Sequence, residues 1–158
     1  MKVKRIHQEA KLPTRADPLS NGYDLYSVED VFIPVGHTAI VDTGISIELD
    51  KFLDIYPTHN RVLSYFEIKD RSSMASKGLR SGAGIVDNGY RGPIKVVMHN
   101  LNNADKYDAI SEQWGYVINK GDKIAQGIIT LSQVPDIVEV VELNNTERGS
   151  GSFGSTGS

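Results

Sequence analysis

Apolar residues in this chain come in short runs rich in Val, Ile and Tyr, broken by turn residues, and helical periodicity is hard to find. Within Thr38–Leu49, Ile45, Ile47 and Leu49 alternate with Ser46 and Glu48, the period-two pattern of a half-buried strand. Strands are predicted at Val3–Ile6, Asp30–Ile33, Thr38–Leu49, Val62–Ile68, Pro93–His99, Trp114–Ile118, Lys123–Leu131 and Asp136–Glu142. Turns are predicted at 21–23, 35–37, 87–92 and 119–122, where Gly falls beside Asn, Asp or another punctuating residue. Many short strands at this spacing predict an all-β sandwich or barrel, jelly-roll-like in its closed form. One stretch breaks the pattern. Arg71–Gly78 sets serines that can cap before helix-tolerant residues and then Gly, which predicts a helix of one or two turns. Lys51–Arg61 and Asn102–Gln113 are polar with a few aromatics and read as surface loops.

At 158 residues the chain suits one domain with a real core. Its 39% hydrophobic and 23% charged residues describe an ordinary globular protein. A net charge of −3 argues against a general nucleic-acid or membrane binder, so neither partner is expected. That average hides a local basic region. Lys69, Arg71, Lys77, Arg80, Arg91 and Lys95 lie close in sequence against only Asp70 and Asp87, enough to hold a small polyanion. The absence of cysteine excludes disulfides, thiolate nucleophiles and Cys-ligated metal. The four histidines show no metal-ligand spacing, and the N-terminus has charge but no apolar run behind it. A soluble intracellular protein, cytoplasmic by default, is the expectation.

Five stretches could carry chemistry, and each has a plain structural reading beside the sharper one. In Asp70–Gly78, Arg71, Ser72 and Ser73 at a helix start could bind phosphate, or could belong to a solvated surface helix. Residues 82–96 read as a hairpin about Asn88-Gly89. There Asp87 could cap the turn or act as a base facing a pocket floored by bare backbone at Gly82 and Gly84. Tyr90 could stack on a ligand or cover the hairpin. In Ser20–Ser27, Asp24 between Tyr23 and Tyr26 is structural unless other charged oxygens bring a metal to it. In Gly121–Thr130, Gln126 could face an edge or reach a ligand. The last stretch, 148–158, has four Gly and four Ser, with Arg148 and Phe153 set among them. It reads as a mobile tail that cannot bury enough apolar surface to order itself.

Taken in order, these stretches resemble the five motifs of the homotrimeric dUTPase family, deoxyuridine triphosphate nucleotidohydrolases. They are SNGYDLYS (20–27), DRSSMASKG (70–78), AGIVDNGYRG (83–92), GDKIAQGII (121–129) and RGSGSFGSTG (148–157). The resemblance implies a jelly-roll subunit spanning residues 1–146 and a Gly/Ser-rich arm at 147–158, exchanged within a homotrimer with sites at subunit interfaces. It implies Mg²⁺-dependent hydrolysis of dUTP to dUMP and pyrophosphate. Asp87 would be the general base for water attack on the α-phosphorus. Arg71, Ser72, Ser73 and Gln126 would bind the phosphates, the Gly84 region would read uracil by its backbone, and Tyr90 would pack against deoxyribose. Phe153 would stack on uracil while Arg148, Gly154, Ser155 and Thr156 close on the γ-phosphate, and Asp24 would meet Mg²⁺ through water.

The chain departs from the family pattern in three places. Asp70 stands where Pro often precedes the motif-two Arg, and is expected either to weaken the phosphate site or to pair with Arg71. The stretch from Lys77 to Gly84 is one residue shorter than in many relatives. Both long loops exceed the compact family pattern. Two alternatives remain. A dCTP deaminase relative would need a glutamate that is here Val97. A dUTP-binding regulatory protein would dock a partner through Asn102–Gln113.

Overall fold

The computed structural model describes residues 1–50, 61–147, 149 and 150. The first predicted loop and the expectations placed on Arg148, Phe153, Gly154, Ser155 and Thr156 lie outside these residues.

The described chain is all-β and antiparallel throughout, with one short helix. Its elements are β1 (Lys2–Arg5), β2 (Tyr23–Tyr26), β3 (Val31–Pro34), β4 (Thr38–Asp42), β5 (Ile45–Glu48) and β6 (Arg61–Lys69). They continue with α1 (Ser72–Ala75), β7 (Leu79–Gly82), β8 (Ile85–Val86), β9 (Lys95–Asn100), β10 (Lys106–Asp108), β11 (Gln113–Ile118) and β12 (Lys123–Val134). Small sheets, β2-β12-β6-β8, β4-β9-β7, β10-β11-β3 and β1-β5, wrap one core in a jelly-roll-like arrangement. Leu25, Ile33, Phe66, Leu79, Ile94, Met98, Ile118 and Ile124 are fully buried there. The Phe66 ring occupies the space a side chain at Gly127 would need, which is why β12 carries a glycine there, opposite Ile68.

Four expectations change. Thr38–Leu49 is two strands, because Gly44 turns the chain with φ +66 and Thr43 Oγ1 donates to Ile94 O at 2.6 Å. β4 then pairs with β9 while β5 pairs with β1. Residues 82–96 keep their turn, with Tyr90 N donating to Asp87 O, but do not form a paired hairpin. β8 joins β6, and β9 joins β4 and β7, so the two arms enter different sheets. Asp136–Glu142 is not a strand. Its backbone finds no ladder among the described residues, and Ile137 and Val141 are fully exposed.

Finally, no serine side chain caps α1. Arg71 stands at the N-cap with extended backbone, and Ser72 and Ser73 lie inside the first turn. The loop Asn102–Gln113 is more ordered than its composition suggests. Its strand β10 pairs with β11, and Tyr107 and Trp114 meet with ring centroids 5.4 Å apart. No helix among the described residues is long and apolar enough to cross a membrane.

Candidate active site

β12 lies between β2 and β6, so Gln126 is flanked by Asp24 on one side and Lys69 on the other. The chain leaving β6 then delivers Asp70, Arg71 and α1 to the end of the same sheet. A cavity of about 410 Å³ opens there, walled by Asp24, Arg71, Ser72, Lys123 and Gln126, with Ser20, Asn21 and Gly22 along its rim.

Strict alternation would send Lys123 and Gln126, three residues apart, to opposite faces of β12. They line one cavity because the register shifts between Lys123 and Ala125. Lys123 opposes Tyr26 and Ala125 opposes Leu25, leaving Ile124 as an extra residue. Ile124 and Ala125 are both buried in consequence. This bulge re-aims Lys123.

Arg71 Nε donates to Asp24 Oδ1 at 2.8 Å, and Lys123 Nζ meets Asp24 Oδ2 at 2.7 Å. Arg71 Nη1 donates to Ser73 Oγ at 3.1 Å and to Lys123 O at 3.3 Å. One buried carboxylate thus orients two cations, and the cavity wall keeps a net positive charge. The hydrogen bond to Asp24 holds the Lys123 ammonium above its ordinary pKa, so it stays charged. Gln126 fits only because Gly22 has no side chain, and its Nε2 donates to Asp70 O at 2.8 Å. Asp70 does not pair with Arg71. Its carboxylate accepts from Ser81 N at 2.5 Å and Ser81 Oγ at 2.7 Å, and it pairs with Arg80 Nε at 2.6 Å. The departure from the family pattern therefore ties motif two to β7 and turns its charge away from the cavity.

Asp87 lies elsewhere. It follows β8, is exposed, and borders a cavity of about 240 Å³ shared with Ile85, Val86, Tyr90, Pro93 and Lys95. On its other side a cavity of about 390 Å³ is walled by Leu63, Tyr65, Ile85, Asn88 and Val134. The turn that presents Asp87 is pinned three ways. Asn88 Nδ2 donates to buried Ser64 Oγ at 2.8 Å, Arg91 Nη1 donates to Asn88 O at 2.6 Å, and Tyr90 OH donates to Pro93 O at 3.1 Å. Gly92 leaves room for the Tyr90 ring. Gly84 approaches β6 so closely that a Cβ there would lie 2.6 Å from Ile68 O. Its small size is thus already required by the sheet. Within one chain, then, Asp24, Arg71, Ser72 and Gln126 line one cavity with Ser73 bonded to Arg71, Asp87 and Tyr90 line another, and Gly84 packs on β6 at Ile68.

Among the described residues no three His, Asp or Glu side chains converge as a metal site. Asp24 is the one carboxylate in the phosphate-sized cavity, and two cations already hold its oxygens. This donor set does not suit a metal bound directly by protein. It would suit Mg²⁺ held through the ion's own water shell, since Asp24 has lone pairs left to accept from a water molecule.

The profile of one protein family, dUTPase, matches residues 8–157. The chain belongs to the dUTPase family. Among dUTPase relatives, a deoxyuridine 5'-triphosphate nucleotidohydrolase of Arabidopsis thaliana is 39% identical over 157 residues, 99% of this chain and 82% of that protein. One from Paramecium bursaria Chlorella virus 1 is 38% identical, covering 98% of this chain and 96% of its own. Among solved structures, the G164S dUTPase of Staphylococcus bacteriophage 80alpha with dUpNHpp superposes with TM-score 0.78 at 27% identity, covering 99% and 98% of the two chains. The dUTPase of phage phi11 of S. aureus gives 0.74 at 25% identity, covering 92% and 98%.

Sequence reasoning missed Lys123 and the Asp70–Ser81 link. The first depends on a bulge that alternation alone does not reveal. The second joins residues 11 apart across α1, and only the unusual Asp in place of Pro pointed toward it.

Proposed function

We propose that the protein hydrolyses dUTP to dUMP and pyrophosphate at sites completed by three copies of the chain. Membership of the dUTPase family supports the reaction class. The observation that carries the assembled site is the separation of its parts. The Arg71 cavity is walled from β2, β12 and the link between β6 and α1, whereas Asp87 follows β8 on the far edge of the same four-stranded sheet and lines other cavities. Three strand spacings, roughly 14 Å, separate β2 from β8. Asp87 of one copy therefore serves the phosphate clamp of another, and the exposed apolar run at Ile137–Leu143 supplies surface for such an assembly.

In this reading Arg71, Ser72 and Ser73 hold the phosphate chain beside the charge set by Asp24. Asp87 takes the proton of a water aligned on the α-phosphorus. The new O–P bond forms as the bond from that phosphorus to the αβ-bridging oxygen breaks, and pyrophosphate leaves. Tyr90 packs on the deoxyribose and excludes a 2′-hydroxyl, while the backbone about Gly84 reads uracil. Phe153 covers the base, and Arg148, Gly154, Ser155 and Thr156 close on the γ-phosphate. Asp24 would hold Mg²⁺ through water, and the ion would supply charge shielding for the triphosphate. A nucleotide substrate also favours an intracellular location, with no nucleic-acid or membrane partner. Pyrophosphate release from dUTP, dTTP, dCTP and UTP, measured side by side, tests the reading. Turnover confined to dUTP is expected. Equal rates with UTP would remove Tyr90 from its role, and no release from dUTP would end the hydrolase reading.

A second role has one supporting observation. The β10–β11 hairpin presents Tyr107, Ile110 and Trp114 to solvent, with Ile110 95% exposed, as a protein-docking tip. Deleting Asn102–Gln113 without loss of fold or of any partner interaction would dispose of it.

A further inference from the structure

We infer that Lys123 is a direct ligand of the substrate's phosphate chain beyond the α-phosphate, an inference that rests on the dUTPase reading. Three observations carry it. The first is aim. The bulge at Ile124 spends an extra residue to turn Lys123 into the cavity that holds Arg71 and Gln126.

The second is donor supply. Arg71 has already committed Nε and Nη1 to Asp24, Ser73 and the Lys123 carbonyl. Gln126 has one of its two amide hydrogens on Asp70 O, which leaves it a single neutral donor. Lys123 has three ammonium hydrogens and a 2.7 Å contact to Asp24 for one of them. Its side chain remains 41% exposed at the cavity wall, so the other two are free to donate.

The third is charge. Arg71 alone is neutralised by Asp24, and Lys123 is what leaves the wall positive. A cation there discriminates by charge, favouring a triphosphate or pyrophosphate over a monophosphate. Asp24 fixes the ammonium in place, and the bridge persists when phosphate arrives because each partner uses different hydrogens. Lys123 also enters no core packing, so its removal leaves the fold intact.

Calorimetric binding of a non-hydrolysable dUTP analogue, inorganic pyrophosphate and dUMP tests the contact in wild type, Lys123→Met and Lys123→Arg. Lys123→Met should weaken the analogue and pyrophosphate about 10- to 100-fold, the range for one charge-assisted hydrogen bond, and leave dUMP within about twofold. Lys123→Arg should restore most of the loss. Unchanged pyrophosphate binding, an equal loss for dUMP, or no recovery in Lys123→Arg would overturn the inference. Wild-type protein that neither hydrolyses dUTP nor binds the analogue would instead defeat the dUTPase reading, and pyrophosphate alone would then decide Lys123.

Discussion

Asp70 holds Ser81 twice, through the main-chain N–H at 2.5 Å and the hydroxyl at 2.7 Å, and so closes the segment that carries Arg71 onto β7. Burial pushes the Asp70 carboxyl up, but the two Ser81 bonds and the Arg80 guanidinium outweigh it and leave its pKa below the usual carboxylate value. A folded-state pKa below the unfolded one means the stabilisation is present above the unfolded value, near pH 3.9, and is lost as pH falls through the folded value. Asp70→Ala should therefore cost about 1–3 kcal/mol at pH 7 by orphaning the Ser81 N–H. Urea titrations of both proteins should show the gap closing below about pH 3.9. A gap independent of pH would mean that the charge on Asp70 contributes nothing.

Asp87→Asn keeps the size of the side chain and removes its ability to take a proton. Pyrophosphate release should fall about 10²- to 10⁴-fold, the usual contribution of a general base, while dUTP still binds. The turn is held by Asn88, Tyr90 and Arg91 rather than by the Asp87 carboxylate, so the thermal midpoint should barely move. Wild-type turnover in this variant would take Asp87 out of the mechanism.

Gly127→Ala places a methyl group where the Phe66 ring sits. Overpacking of this kind costs about 1–3 kcal/mol, and here the neighbouring residue is Gln126. Thermal denaturation should register the loss, and the additional change Phe66→Leu should recover part of it. A Gly127→Ala protein as stable as the parent would show that β6 and β12 yield more readily than their packing indicates.

Removal of residues 148–158 should cost turnover far more than stability, because a Gly- and Ser-rich composition offers little apolar surface to bury and Phe153 and Arg148 are proposed to act on bound nucleotide. The comparison is of kcat and thermal midpoint for the full-length and shortened chains. An active shortened enzyme would make the segment a mere tail.

Most of the strand inventory was legible because burial imposes alternation, as at Ile45 and Ile47. Where packing or pairing depends on distant chain, the sequence said less. Tyr23–Tyr26 was read only as a candidate site, yet it is β2, held by its pairing with β12. Asp136–Glu142 has the composition of a strand and lacks a ladder among the described residues. The motif residues Arg71, Asp24 and Gln126 do converge, but their partners did not follow from local order. Gln126 is bonded to a carbonyl that its own motif does not contain, and Arg71 is aligned by a carboxylate 47 residues away.

The extra residue in β12 has a consequence for anyone who would improve this protein. Deleting Ile124 would make β12 regular and its pairing with β2 continuous, a change that sheet design would favour. It would also turn Lys123 away from Gln126 and free Asp24 from one of its two cations. Because Ile124 is also a fully buried core side chain, the same deletion would open the core, so the residue that aims the clamp is kept in place by packing as well as by function.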